Sequence, residues 1–219
     1  MTQIFKLTAI AAVFAVASVS SHAGIVFTFS QSGANVVMNS SGVIDTNRLV
    51  LQQSVSGWGS AGVEENGNHD IMGGTTVGEV DVSFGFNAGT DFSPWVSANG
   101  PWSSSNFDAV VNNGVRGFTT YIFAGGQDPQ LPQLPGLGVE RADIVNGLWS
   151  PDQNWTFANQ TIASLNMFAG TYTVTDAQTS EFITFQIGAV NRVPEPTTLL
   201  LASLALAGLG LSRRKQQAS

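Results

Sequence analysis

Glu79-Val-Asp-Val-Ser-Phe-Gly-Phe-Asn87 is the most regular stretch of the chain. Val80, Val82, Phe84 and Phe86 alternate with Glu79, Asp81, Ser83 and Gly85. Successive side chains of an extended strand point to opposite faces, so this two-residue period predicts a strand with one face in a core and one in water. The same alternation recurs in Ile25, Phe27 and Phe29, and again in Ile183, Phe185 and Ile187. Gly170-Thr-Tyr-Thr-Val-Thr175 precedes the last of these across a polar link at 176–180, which predicts a closing hairpin. Further strands are expected at 34–39, 49–56, 117–124 and 155–163.

Between residues 24 and 192, no window of ten or more shows a 3.6-residue apolar stripe; a single helical turn is expected near Val139 to Leu148. Segments 99–115 and 125–138 read as loops. The second holds Pro129, Pro132 and Pro135 among Gly125, Gly126, Gly136 and Gly138. About nine short strands in one stretch of this length predict an all-β domain over residues 24–192, an antiparallel β-sandwich of jelly-roll-like form. An N-terminal signal helix and a C-terminal transmembrane helix are expected to flank it.

Composition agrees with that class. Hydrophobic residues make up 43% of the chain, enough for a core, while charged residues are only 11%, well below the level usual in soluble domains. The formal net charge is −7. Lys6, Arg213, Arg214 and Lys215 lie in the terminal segments, so the middle sets Arg48, Arg116, Arg141 and Arg192 against every acid except Glu195. A body this acidic repels phosphates, which excludes nucleic acid as a partner. There is no cysteine, hence no disulfide framework, thiolate metal site or thiol nucleophile.

The ends have their own patterns. Residues 1–23 read as a secretory signal peptide: Lys6 is basic, Leu7 to Val19 is apolar, and Ser21-His22-Ala23 places small residues before a cut between Ala23 and Gly24. A retained membrane anchor is the alternative, but the apolar run is short of the ~20 residues a full span needs. At the other end Val193-Pro194-Glu195-Pro196 precedes the apolar run Leu199 to Leu211 and the basic group Arg213-Arg214-Lys215. The prolines hold the chain extended around Glu195. The apolar run suits a short membrane helix, and the cations hold its far end in the cytoplasm. Residues 193–214 therefore form one addressed unit, and 215–219 its cytoplasmic end. A plain tail anchor is the competing reading.

In this order, Pro194-Glu195-Pro196, a short hydrophobic helix and a basic terminus resemble the PEP-CTERM sorting signal of Gram-negative bacteria. The resemblance implies recognition by exosortase, a membrane-embedded transpeptidase-like cysteine protease. It also implies a membrane-held precursor in the inner membrane, cleavage near the tripeptide, and delivery to the cell surface or an exopolysaccharide matrix. The opening 24–42 has a weaker likeness to the first hairpin of other PEP-CTERM bodies, and it transfers no catalytic residue.

Candidates for chemistry in the body are few. With His22 in the signal peptide, His69 is the base that any serine triad in the mature chain would need, and Trp58-Gly-Ser-Ala-Gly62 lacks the first glycine of a nucleophile elbow. A glycoside hydrolase needs only two carboxyl groups, and no pair stands out by spacing. Glu64-Glu-Asn-Gly-Asn-His-Asp70 is the densest polar cluster. Oxygens of Glu64, Asn66, Asn68 and Asp70 could converge on Ca²⁺, although a solvated turn explains the same residues. Trp95 and Trp102, in Gly/Ser/Asn/Pro-rich surroundings, are expected to be exposed and able to stack on a sugar ring; the alternative is that they plug the sandwich ends. The chain is expected to be a non-enzymatic surface or biofilm-matrix protein without a required cofactor. A carbohydrate-binding module or an extracellular glycoside hydrolase is the alternative.

Overall fold

The computed structural model describes residues 23–52, 61–65, 69–74, 80–96, 98, 100–107, 110–112, 116–121 and 134–188. The expected signal helix, Asn66, Asn68, Trp58 and the whole of 193–219 lie outside these residues. In chain order the strands are β1 (Gly24–Ser32), β2 (Asn35–Asp45), β3 (Val50–Gln52), β4 (Gly62–Glu65), β5 (His69–Gly73), β6 (Val82–Gly85) and β7 (Val110–Asn112). They continue with β8 (Phe118–Tyr121), β9 (Gly136–Val139), β10 (Leu148–Trp149), β11 (Asn154–Phe157), β12 (Gly170–Thr175) and β13 (Phe182–Ile187). One short helix, α1, spans Ser93–Val96. Among the described residues no helix is long and apolar enough to cross a membrane.

The strands form two sheets. The first runs β12-β13-β1-β2-β11-β7, with β10 also on β2; the second runs β3-β6-β9-β8-β5-β4. The all-β class is as expected, and so are the opening hairpin β1–β2 and the closing hairpin β12–β13. The pairing is not wholly antiparallel: β1 and β13 run parallel, Gly24 beside Phe182 through Phe29 beside Ile187. Alternation within a strand reports which face is buried, and it carries no sign of the partner's direction.

The two sheets share one apolar cluster. Ile25, Phe27 and Phe29 are fully buried, as the alternation in β1 requires. Phe27 stacks on Phe118 of the opposite sheet with ring centres 5.3 Å apart, and Phe118 lies 5.7 Å from Trp149. Phe185 of β13 lies 4.7 Å from Trp95 and 5.0 Å from Trp102. Burying large aromatic surfaces in one cluster is how a domain without disulfides gains most of its stability.

Several expectations change. In β6 the polar-side Ser83 is as buried as Val82 and Phe84, so both faces of this strand are covered and its period does not mark a wet face. The loops read at 99–115 and 125–138 contain β7 and β9; cross-strand pairing overrides the glycine content there, and Gly136 lies where a Cβ would meet the Phe84 carbonyl oxygen at 2.0 Å. Segment 155–163 is a strand only as far as Phe157, then a turn. The helical turn near Val139 to Leu148 is a 3-10 turn at Arg141–Asp143 followed by a tight turn at Asn146-Gly147, both at positive φ (53° and 79°). Those two residues bring Val145 and Leu148 into mutual backbone hydrogen bonds.

Candidate functional site

The ends of the 64–70 segment lie on two paired strands, β4 and β5, while 66–68 lie outside the described residues. Glu64 stands opposite Asp70, and Glu65 opposite His69. The expected calcium ligands Glu64 and Asp70 are thus brought side by side, Asp70 being buried; Asn66 and Asn68 lie outside the described residues. Among the described residues no group of three or more His, Cys, Asp or Glu comes together as a metal site would.

His69 is also buried, and Nδ1 donates a hydrogen bond to the Trp95 carbonyl oxygen. Its ring meets Trp102 edge-on at 6.0 Å, and Gly100 packs so closely beneath it that a Cβ there would lie 2.4 Å from Cε1. One ring nitrogen of this histidine is committed to a backbone carbonyl inside an aromatic cluster, an arrangement that fixes α1 to β5.

Trp95 and Trp102 are not exposed. They show 0% and 1% of their surface, so the expectation that they stack on sugar is corrected. The indole of Trp95 donates to the Tyr172 carbonyl (3.2 Å) and that of Trp102 to the Glu64 carbonyl (2.7 Å). Small polar neighbours in the sequence made these residues look solvent-facing. In space both indoles fold inward, each with its N–H satisfied by a backbone carbonyl.

A cleft among the described residues encloses about 430 Å³ and is lined by residues including Asn47, Leu49, Leu51, Phe84 and Arg141. No carboxylate lines it, so the two-carboxyl arrangement of glycoside hydrolysis is not assembled there.

The strongest polar constellation was invisible in the sequence. Glu181, just before β13, is fully buried. Its Oε2 accepts the Asp45 N–H (3.0 Å) and its Oε1 accepts from Arg48 Nη1 (2.9 Å), while Arg48 Nη2 donates to the Thr179 carbonyl (2.6 Å). Burial raises the carboxyl's pKa, against the lowering effect of the Asp45 N–H and the Arg48 charge. Asp176 lies next to it in the β12–β13 turn. Its carboxylate accepts from Gln178 N, Thr179 N and Thr179 Oγ1, and from Asn87 N and Nδ2 across the sandwich. Burial works against its charged form, but the Asn87, Gln178 and Thr179 hydrogen bonds outweigh it and lower its pKa. No local motif could have pointed to Asn87, Arg48 and Asp45 as partners, because they lie 89, 133 and 136 residues from the acids they meet.

At the N-terminal end, Ala23 precedes β1 and Gly24 is its first residue, buried under the Phe182 ring. At the C-terminal end β13 closes at Ile187, and the chain leaves toward Pro194, Glu195 and Pro196 with residues 188–193 between. The tail residues Pro194, Glu195, Pro196, Arg213, Arg214 and Lys215 lie outside the described residues. Every member of the described core falls between Ile25 and Ile187.

The described residues form a two-sheet body. The PEP-CTERM protein-sorting motif matches residues 192–215, one residue wider at each end than the boundaries read from the sequence. The chain carries this sorting motif, and the motif indicates a secreted, membrane-anchored precursor processed by exosortase and sorted to the cell surface. No curated protein and no solved structure matches the chain.

Proposed function

We propose that the mature protein is a non-catalytic structural or adhesive component of an extracellular polysaccharide matrix, released to it by exosortase cleavage near Pro194-Glu195-Pro196. The observation that carries this reading is the sorting motif on a body that ends a few residues before it. The six residues 188–193 extend at most about 20 Å, so the domain stays close to the membrane until the tail is cut. On this reading the body is a jelly-roll-like shell, a reading supported by its two sheets and its crossover neighbours β2–β11 and β6–β9. The buried tryptophans and the committed His69 support a role in which folding, not turnover, is the function. The reading needs no cofactor; a calcium ion across Glu64 and Asp70 would add stability without adding chemistry.

Mass spectrometry of the C-terminus, in cell envelope and culture supernatant with and without exosortase, tests it. Cleavage near 194–196 is expected in wild-type cells and full length to Ser219 in cells lacking the enzyme. Ser219 retained in wild-type cells would reduce the tail to an anchor. Affinity electrophoresis through the host's own exopolysaccharide tests the adhesive role, with retardation as the supporting result.

A further inference from the structure

The sorting reading leaves Glu181 without a task, although few acids are so completely buried. Strands β13 and β2 flank β1, and Gly24 stands between Phe182 and Val43. Glu181 precedes Phe182 and Asp45 lies two residues past Val43, so both stand just beyond the first residue of β1. Strands on either side of a third are about 9–10 Å apart. The 3.0 Å hydrogen bond from Asp45 N–H to Glu181 Oε2 therefore crosses the line along which β1 would continue toward residue 22. The carboxylate takes a backbone donor that a longer β1 would have paired, and β1 begins at Gly24 while β2 runs on to pair with β10.

The charges there do not balance. Glu181 and Asp45 bring two negative charges, and Arg48 of the 3-10 turn Thr46–Arg48 supplies one positive charge from a side chain 46% exposed. Among the described residues Asp176 is a further charged neighbour, joined through its N–H to the Glu181 carbonyl (2.7 Å), its carboxylate turned to Asn87 and its own turn, and Asp45 Oδ1 accepts the Asn47 N–H (3.0 Å). Gly24 is held in place: a Cβ on it would lie 2.4 Å from the Phe182 ring, and its carbonyl oxygen is packed against Gly42.

We propose that Glu181 and Asp45 form a receptor for the α-ammonium of Gly24, so that removal of the signal peptide completes the charge pairing at the head of β1 and stabilises the domain. The proposal rests on hydrolysis between Ala23 and Gly24. Water is added across that bond, Ala23 leaves as a carboxylate, and the Gly24 nitrogen takes up the protons that make it cationic. Export and folding are thereby linked, because the cut creates a cation at Gly24, which pairs with Phe182, the residue after the buried Glu181.

The full chain, exported from a bacterial host and extracted, provides the test. Intact mass first reports its N-terminus. From Gly24 onward the sequence contains Lys215 as its only lysine, so reductive methylation with ¹³C-formaldehyde labels at most two amines. We expect the Gly24 methyl resonance to titrate about one unit above the same amine in urea, and Glu181→Gln to abolish that shift. In unmutated protein, acetylating the amines removes charge where methylation keeps it. The acetylated form is expected to melt several degrees lower, with the gap closing as pH rises through the raised pKa, because a raised amine contributes its stability below its unfolded value. This comparison decides the matter even if Glu181→Gln does not fold. A start other than Gly24 would overturn the export premise; a start at Gly24 with an unshifted amine, or equal melting of the two forms, would overturn the receptor itself.

Discussion

Replacing Asp176 with Asn is expected to loosen the hairpin from which the sorting tail departs. The wild-type carboxylate is 2% exposed and joins the β12–β13 turn to Asn87, past the end of β6. Oδ1 accepts Gln178 N (2.9 Å), Thr179 N (2.8 Å) and Thr179 Oγ1 (2.9 Å); Oδ2 accepts Asn87 N at 2.6 Å. An amide keeps one oxygen. If that oxygen serves the turn, the NH₂ faces the Asn87 N–H and leaves a buried donor unsatisfied at about 1–3 kcal/mol, while the bonds that remain lose their charge assistance. The sum is about 2–4 kcal/mol, a large part of the ~5–15 kcal/mol by which domains are stable, and about 5–10 °C in melting temperature. Urea unfolding followed by the buried tryptophans measures it. The sign with pH is set by the lowered pKa of Asp176: its contribution is complete above the ordinary carboxylate range and is lost as pH falls through the lowered value. The gap between wild type and variant should therefore be full at pH 7 and narrow toward pH 2. A gap below about 0.5 kcal/mol at pH 7, against the 1–3 expected for one buried donor left unsatisfied, or one unchanged in acid, would refute the reasoning.

Three further outcomes follow from the same packing. Trp102→Ala should destabilise by about 3–5 kcal/mol, through the lost ring and the abandoned Glu64 carbonyl, seen as a lower urea midpoint. Burial pushes the Tyr121 hydroxyl up to about 12 against hydrogen bonds from Gln52 and Ser83; ultraviolet titration should show one of the two tyrosines ionising there, and stability falling from about pH 10 upward. Chelation with EDTA should leave the calorimetric midpoint unchanged if Glu64 and Asp70 are satisfied within the protein, whereas a fall of several degrees would establish a cation between them.

The strand-rich character and the C-terminal sorting motif were legible because they depend on local pattern. Alternating Val and Phe, a short apolar run, a proline-flanked glutamate and a basic cluster carry their physical meaning whatever the rest of the chain does. Sequence also identified the inward faces of β1 and β13, since a two-residue period assigns faces without reference to a partner. It could not say that those two strands lie side by side and parallel, because direction of pairing depends on backbone hydrogen bonds that no side chain encodes alone. It placed Trp95 and Trp102 outside because their neighbours are polar, whereas burial depends on what approaches from distant strands. Glu181, Arg48, Asp45 and Asp176 were silent for the same reason: an acid is an ordinary surface residue until a fold carries it past a strand end and removes the water around it.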